Sequence, residues 1–319
     1  MLRSILIYLS KAAWARKIVT RWSIAWRVAS RFVSGEKLED AIRVIRSLNE
    51  RGINATLDHL GEHTDSPEAA QKATNDILEI FNAIDASGVR ANVSVKLSQI
   101  GLVVDPQLCV ENLRAILERA RLSGNFVRID MEESALVDIT LSIYQQMRAA
   151  GLENTGIVIQ SCLYRSEADV QQILTTRGKI RLCKGAYKEP PQVAFPLKRD
   201  VDVNFDKLAS LLIDAELAAG QPGLSSDGLT PPIPAIASHD EQRILFAKEY
   251  AARAGLSKNA LEFQMLNGIR RDLQENLARA GYPVRIYVPY GTEWYPYFMR
   301  RLAERPANVW FFISNFFRN

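Results

Sequence analysis

The chain has 319 residues, 47% of them hydrophobic and 24% charged, which is an ordinary globular composition and excludes disorder, collagen and a polytopic membrane protein. Its three cysteines, at positions 109, 162 and 183, fit neither a disulfide framework nor a clustered zinc site, so reduced thiols and a cytoplasmic location are expected. The net charge of +4 arises in the first 35 residues, which hold seven bases and no acid, so the rest of the chain is mildly acidic and no nucleic-acid partner is indicated.

Residues 1–40 predict a basic, amphipathic helical arm. Trp14, Ile18, Trp22 and Trp26 recur every four residues and form one apolar stripe, with most of the bases off it. Such a helix can rest on an anionic membrane surface, pack on the protein's own domain or act as a targeting peptide. The residues alone leave these alternatives open.

Residues 41–319 predict one α/β domain. Short runs rich in Val and Ile alternate with helical patterns, which indicates parallel strands joined by crossover helices and, with eight such units, a (β/α)8 barrel of the TIM type. The stretch Pro190–Pro232, with its two glycine-containing turns, is expected to be an exposed insertion. The predicted strands are Asn54–Leu57, Ala91–Leu97, Phe126–Met131, Gly156–Gln160, Lys179–Lys184, Ile233–Ser238, Leu261–Leu266 and Val284–Val288.

Polar side chains stand at or just beyond the C-terminal ends of these strands. Because the active site of such a barrel forms at this face, we expect them to converge on one mouth, although each alone could be a structural hydrogen-bonding group. They are Asp58, Glu62, Lys96, Asp130, Glu132, Gln160, Arg181, Lys184, His239, Gln264 and Tyr287.

Signatures of several other enzyme classes are absent or out of place. The chain has no G-x-G-x-x-G, no P-loop and no G-x-S-x-G, so any nucleotide cofactor is expected to bind on the barrel itself. Residues 59–63 spell H-x-x-E-H, but Gly61 and the preceding strand place this run in a loop rather than on a helix. No metal site is therefore expected.

Two kinds of cation are expected near the mouth. Lys96 and Lys184 lie in strands, where a desolvated lysine can form a Schiff base, but an ion pair with a carboxylate such as Asp130 is the commoner case and the one we favour. Arg300 and Arg301 follow the last strand, in the expected final helix. Two guanidinium groups at a barrel mouth suit a clamp for a carboxylate or a phosphate.

Four sequence blocks belong together, namely Leu57-Asp58-His59-Leu60-Gly61-Glu62, Ser94-Val95-Lys96-Leu97-Ser98, Arg181-Leu182-Cys183-Lys184-Gly185-Ala186-Tyr187 and Tyr297-Phe298-Met299-Arg300-Arg301-Leu302. Together they resemble the proline dehydrogenase family. The resemblance runs from about Leu57 to Phe311 and preserves the order and approximate spacing of the family's blocks. It implies a distorted (β/α)8 TIM-type barrel that binds FAD without a Rossmann fold and oxidises L-proline to Δ1-pyrroline-5-carboxylate, with hydride passing from proline C5 to flavin N5.

The resemblance also assigns substrate contacts. It implies that Arg300, Arg301 and Lys96 hold the proline carboxylate, and that Glu62 pairs with Arg300 as a gate. A tyrosine at position 287 favours proline over hydroxyproline. The remaining substrate-side residues are Asp130, Arg181 and the ring walls Tyr187, Leu266, Tyr287 and Tyr297.

For the cofactor, the resemblance places Arg181 beside flavin N5. Two positions depart from the family pattern: Asp240 stands where many members have asparagine, which adds an anion near the phosphate or adenine end, and Cys183 replaces a common valine. The implied cofactor residues are Asp130, Val158, Gln160, Arg181, Cys183, Lys184, Gly185, Ala186, Lys198, Ser238, His239, Gln264, Arg301, Glu304 and Phe311.

The resemblance further implies a membrane quinone as electron acceptor. With that acceptor, the basic arm is expected to hold the protein peripherally on the inner face of the cell membrane, and a separate pyrroline-5-carboxylate dehydrogenase would take up the product. Two alternatives remain: a barrel lyase or aldolase that uses a Schiff-base lysine, and a catalytically silent, membrane-associated binding protein.

Overall fold

The computed structural model describes residues 9, 12, 14, 15, 19 and 23–304. Eight parallel strands close into a barrel in the order of the sequence, and the first strand is hydrogen-bonded to both the second and the eighth. The predicted (β/α)8 barrel is confirmed. Its strands are Asn54–His59 (β1), Ala91–Val95 (β2), Val127–Ile129 (β3), Thr155–Gln160 (β4), Lys179–Cys183 (β5), Pro234–Ala237 (β6), Glu262–Leu266 (β7) and Val284–Tyr290 (β8).

The outer layer consists of helices, several of which have clear end signals in the sequence. Ser66 and Asp105 accept hydrogen bonds from backbone N–H groups in the first turns of the helices that begin at Pro67 and Pro106, so a proline follows each of them at the first helical position. Strands β2 and β4 are buried along their whole length, as expected for parallel strands covered by helices. The helices are Ser23–Ala29 (α1), Leu38–Asn49 (α2), Pro67–Ser87 (α3), Pro106–Leu122 (α4), Val137–Ala149 (α5), Ser166–Leu174 (α6), Lys198–Ala218 (α7), Glu241–Ala254 (α8), Arg271–Arg279 (α9) and Trp294–Glu304 (α10).

The prediction of an exposed insertion at Pro190–Pro232 is wrong. Half of this stretch is α7, the helix that crosses from β5 to β6, and it buries Phe205, Leu208 and Leu212 against the barrel. These apolar residues recur at helical spacing, but the glycine-containing turns that follow obscured them.

The end of the arm packs on the barrel. Ala25, Val28 and Phe32 are buried in a second apolar cluster, separate from the main core, together with residues of α10. The rings of Trp26 and Trp294 have centroids 5.3 Å apart. Among the alternatives for the arm, packing on its own domain therefore holds for this part of it.

A backbone contact fixes where the arm docks. A Cβ added to Gly268, which has φ +75°, would lie 1.7 Å from the carbonyl oxygen of Arg31, so a side chain there would displace the arm. The backbone N–H of Ser34 donates to the carbonyl of Pro289 at 2.9 Å. The arm thus lies across the loop that follows β7 and the C-terminal end of β8. No helix within the described ranges is long and apolar enough to cross a membrane.

Candidate active site

A cavity of about 490 Å³ opens at the C-terminal ends of the strands. This volume lies within the range of small-molecule sites. Four lining residues were absent from the predicted site, namely Met131, Ala237, Asp240 and Met265. The predicted residues that line the cavity are Glu62, Lys96, Asp130, Val158, Arg181, Cys183, Lys184, Gly185, Ala186, Tyr187, Ser238, His239, Gln264, Leu266, Tyr287, Tyr297, Arg300 and Arg301.

Asp130, just past β3, is the centre of the hydrogen-bond network at the cavity floor. Its Oδ1 accepts from Arg181 Nη1 at 2.7 Å and from Ser94 Oγ at 3.2 Å, and its Oδ2 accepts from the Tyr287 hydroxyl at 2.7 Å. Strands β2, β3, β5 and β8 each contribute one of these groups, so only barrel closure brings them together. Ser94 was missed, although it lies two residues before Lys96 and therefore on the same face of its strand.

Lys96 is an ion-paired lysine. Its Nζ lies 2.8 Å from Asp58 Oδ1, 3.3 Å from the Tyr287 hydroxyl and 3.8 Å from Asp130 Oδ2. Burial works to lower the pKa of Lys96, but the carboxylates of Asp58 and Asp130 outweigh it and raise the pKa well above its ordinary value. Lys96 is therefore a permanent cation at the floor, which suits anion binding and not Schiff-base chemistry.

Glu62 and Arg300 form an ion pair at the mouth. Arg300 Nη1 donates to Glu62 Oε2 at 2.8 Å and Nη2 donates to Oε1 at 2.5 Å, a bidentate arrangement that joins the loop after β1 to α10. Burial works to raise the pKa of Glu62, but the charge of Arg300 outweighs it and holds the pKa below its ordinary value. The side chain of Arg300 is only 19% exposed and that of Glu62 16%, so the pair is little screened by solvent.

Aromatic residues enclose the same end of the cavity. The guanidinium carbon of Arg301, a residue that is 7% exposed, lies 5.1 Å from the centroid of the Tyr297 ring. Burial raises the pKa of Tyr187 and raises that of Tyr287 well above its ordinary value, so both remain neutral phenols. This end therefore offers cations held between apolar ring faces.

The opposite end holds one of the two predicted cofactor lysines, Lys184. Lys184 Nζ lies 2.5 Å from both Asp202 Oδ1 and Asp240 Oδ2. Lys198 also contacts both carboxylates, but its side chain is 73% exposed and does not line the cavity. Both lysines are thus partly neutralised by carboxylates, one of which is the Asp240 that departs from the family pattern.

Gly185 marks a wall where no side chain fits. Its φ is +105°, and an added Cβ would lie 2.4 Å from Cys162 Sγ. Burial raises the pKa of the neighbouring Cys183 thiol to about 12, so that residue lines the cavity as a neutral, weakly polar group. Here the cavity is bounded by backbone and small side chains.

Besides Lys198, Gln160 is the predicted cofactor residue with a described side chain that does not line the cavity. Gln160 uses its amide N–H₂ to bind the carbonyls of Met131 and Glu132, at 3.1 and 3.0 Å, and so supports the floor from behind. Glu304 ends α10, and its side chain lies outside the description, as does the whole of Phe311.

The charges of the lining favour anionic ligands. Five lining residues are cations and three are carboxylates, so the wall carries an excess of two positive charges. The cations are Lys96, Arg181, Lys184, Arg300 and Arg301; the carboxylates are Glu62, Asp130 and Asp240. No group of three or more metal-ligating side chains suited to an ion occurs among the described residues.

Fold and site together define a TIM-barrel enzyme with an anion-binding mouth. The family model for proline dehydrogenase matches residues 41–313. A proline dehydrogenase of Deinococcus radiodurans is 41% identical over 293 residues, which are 91% of this chain and 90% of that protein. Proline dehydrogenase 1 of Bacillus subtilis is 38% identical over 317 residues, 98% of each chain.

A solved structure of proline utilization A from Bdellovibrio bacteriovorus, inactivated by N-propargylglycine, has a TM-score of 0.79 at 25% identity and covers 88% of this chain and 33% of that one. The chain belongs to the proline dehydrogenase family. It is an oxidoreductase that acts on proline, and its family implies dependence on a flavin. The lysine-based lyase does not agree with this membership, and the silent binding protein does not agree with an oxidoreductase.

Proposed function

We propose that this chain oxidises L-proline to Δ1-pyrroline-5-carboxylate with FAD as its flavin, and that a membrane quinone takes the electrons. The observation that carries the proposal is the division of one cavity into two ends. One end holds Arg300, Arg301 and Lys96 among tyrosine rings, and the other is bounded by the Gly185 wall and Lys184. The first end suits the carboxylate and ring of an amino acid, and the second suits a flat, anionic cofactor. The two ligands must lie next to each other to react.

The residues present fit a bound flavin. At Gly185 the backbone forms the wall, because a Cβ would collide with Cys162. The excess positive charge of the lining suits a pyrophosphate. Lys184 would hold this group after replacing its hydrogen bond to Asp202 or Asp240 with one to the ligand. When bound, FAD would be the two-electron oxidant, with flavin N5 as the acceptor of a hydride from proline C5.

The chain's own residues would bind and orient proline. Arg300, Arg301 and Lys96 offer hydrogen-bond donors to the substrate carboxylate from two elements, α10 and the end of β2, which fixes its direction. The phenol of Tyr287 stays protonated, since its pKa is raised by burial and by Asp130. It therefore donates to the Asp130 carboxylate throughout the working pH range. Tyr287 is thus a fixed wall of the proline site.

The wall residues would also keep water from the reacting atoms. Leu266, Tyr187 and Tyr297 line the cavity beside the arginines and present apolar surface to the methylene groups of the ring. Water exclusion strengthens every charge interaction inside the cavity. Arg181 is held at the floor by Asp130, where its positive charge would stabilise the electron-rich reduced flavin.

To reach a quinone in the membrane, residues 1–40 would act as a membrane-facing arm attached to the barrel domain, residues 41–319. Trp26 packs on α10, but Trp14 is 58% exposed and Arg27 is exposed, so part of the arm keeps groups suited to an anionic membrane surface. Peripheral binding to the cytoplasmic face would bring the barrel to the quinone. A separate pyrroline-5-carboxylate dehydrogenase would oxidise the product further.

An anaerobic visible spectrum of the purified protein, before and after addition of L-proline, tests cofactor and substrate together. We expect two flavin absorption bands that bleach with proline, and FAD as the flavin released by heat denaturation. Bands that persist with proline would refute the substrate assignment. A protein without bands after reconstitution with FAD would refute the cofactor assignment.

A further inference from the structure

A buried polar chain runs beneath the cavity from the barrel interior to Arg181. Barrel interiors of this type are usually filled by branched apolar side chains. Here Glu262 on β7 and Arg285 on β8 are 0% and 1% exposed and form an ion pair, with Arg285 Nε 3.0 Å from Glu262 Oε1 and Nη2 3.0 Å from Oε2. Neither residue lines the cavity, and neither was predicted from the sequence to belong to the site.

The cost of this pair points to a role beyond stability. A buried ion pair pays a desolvation penalty that its attraction seldom exceeds, and well-packed apolar residues of the same volume often serve equally well. Arg285 also donates to the carbonyls of Ala55, at 2.9 Å, and Gly228, at 2.7 Å, so its position is fixed by backbone. Arg285 thereby holds the Glu262 carboxylate in one place.

Glu262 in turn sets the orientation of the Gln264 side chain. Gln264 lies two residues further along β7 on the same face, and its Nε2 donates to Glu262 Oε1. A carboxylate can only accept hydrogen bonds, so the amide N–H₂ must face Glu262 and the amide oxygen must face away from it. That oxygen accepts from Arg181 Nε at 2.5 Å.

The orientation of Gln264 then decides which nitrogen of Arg181 faces a ligand. Nε is bound by Gln264, and Nη1 is bound by Asp130 at 2.7 Å and Ser94 at 3.1 Å. Arg181 lines the cavity, and Nη2 has no hydrogen bond to any residue in the described part of the chain. The guanidinium is fixed on two sides, with Nη2 remaining for the cofactor.

We propose that Glu262 is a positioning residue for Arg181, which acts through the fixed amide of Gln264 and so sets the electrostatic stabilisation of the reduced flavin. This inference rests on the proposed function, because it assigns Arg181 to the flavin. Without the Glu262 carboxylate, the Gln264 amide can rotate and turn its N–H₂ towards Arg181 Nε, which would push the guanidinium from its place.

Two variants and one control test the proposal. Glu262→Gln keeps the shape of the side chain, and Glu262→Leu combined with Arg285→Met removes the ion pair as a unit, so that no buried charge is left alone. Glu216→Gln is the matched control: Glu216 is also 0% exposed and accepts from the backbone N–H groups of Gly223 and Ile233 at 2.8 and 2.9 Å, outside the cavity lining. The readouts are the midpoint potential of the bound flavin, its visible spectrum, and kcat and KM for proline with an artificial dye acceptor.

In both Glu262 variants we expect the flavin potential to shift to more negative values, kcat to fall about tenfold, and KM to stay within about twofold, since the carboxylate clamp is untouched. Glu216→Gln should lower the melting temperature without moving the potential. Unchanged potentials in both Glu262 variants, with flavin bound and bleached by proline in the wild type, would overturn the proposal and leave the proposed function intact. A wild-type protein that takes up no flavin would overturn both.

Discussion

Removal of Arg300 should weaken proline binding for two separable reasons. The first is the loss of a charge-assisted hydrogen bond to the substrate carboxylate, worth about 1.5–3 kcal/mol. The second arises because Arg300 pairs bidentately with Glu62 at 2.5 and 2.8 Å, so Arg300→Ala leaves the Glu62 carboxylate unpaired at the mouth, where it repels the substrate by roughly 1 kcal/mol. Together these terms raise KM by about 100-fold, at 1.4 kcal/mol per factor of ten.

A double-mutant cycle separates the two terms. Glu62→Ala combined with Arg300→Ala removes the repulsion, so its KM should lie about fivefold below that of Arg300→Ala alone. Glu62→Ala alone should leave KM near the wild-type value or lower it, because Arg300 no longer divides its donors between two carboxylates. Steady-state kinetics with a dye acceptor, at saturating flavin, measure all four proteins.

The effect of Glu62 on KM should depend on pH in only one of the four proteins, Arg300→Ala. Arg300 is the strongest of the charges that hold the pKa of Glu62 below its ordinary value against the opposing effect of burial, so in Arg300→Ala burial is opposed only by the smaller effects of Lys96 and His63 and the pKa rises. Glu62 is then charged above that pKa and neutral below it, and the KM of Arg300→Ala should fall as the pH is lowered, while the double variant shows no such fall. Equal KM values for Arg300→Ala and the double variant at all pH values would refute this account.

Three further outcomes are expected. Gly185→Ala should cost about 1–3 kcal/mol of unfolding free energy and reduce flavin retention, since its Cβ would lie 2.4 Å from Cys162 Sγ; unchanged flavin content after gel filtration would contradict this. Asp240→Asn keeps a good helix cap but frees Lys184 from one of two carboxylates. Apoprotein titrated with FAD should therefore bind it about three- to tenfold more tightly, and weaker binding would contradict the assignment of Lys184 to the cofactor. Deletion of residues 1–22 should reduce co-sedimentation with anionic vesicles at low salt but not with neutral ones, and equal sedimentation with anionic vesicles would refute membrane contact by the arm.

Much of the fold could be predicted from the sequence, because local patterns determine it. Buried β-branched runs alternating with helical periodicity gave all eight strands, and the strand ends pointed to one mouth. Asp130, Arg181 and Tyr287 could be placed there because each lies within a strand or just past its end, and barrel topology fixes the direction of the strands. The Arg300-Arg301 pair followed from its position after the last strand.

The wrong assignment of Pro190–Pro232 shows where local signals fail. The turn signals at residues 220–223 and 225–228 are strong. The apolar residues of α7 recur at helical spacing, but that they pack on the barrel is known only from their partners on β5 and β6. The arm is similar: the stripe that includes Trp26 predicts an amphipathic helix but does not say what covers it. Contact with Trp294, more than 250 residues away, could come only from the tertiary structure.

What the sequence by itself determined was therefore the barrel, its family and the residue types at its mouth. Only the tertiary structure decided which charges meet: that Lys96 lies between two aspartates, that Lys184 is held by Asp202 and Asp240, and that Glu262 reaches Arg181 through Gln264. The physical reason is that the energy of a buried charge depends on neighbours within a few ångströms. In a closed barrel, those neighbours come from strands far apart in the chain.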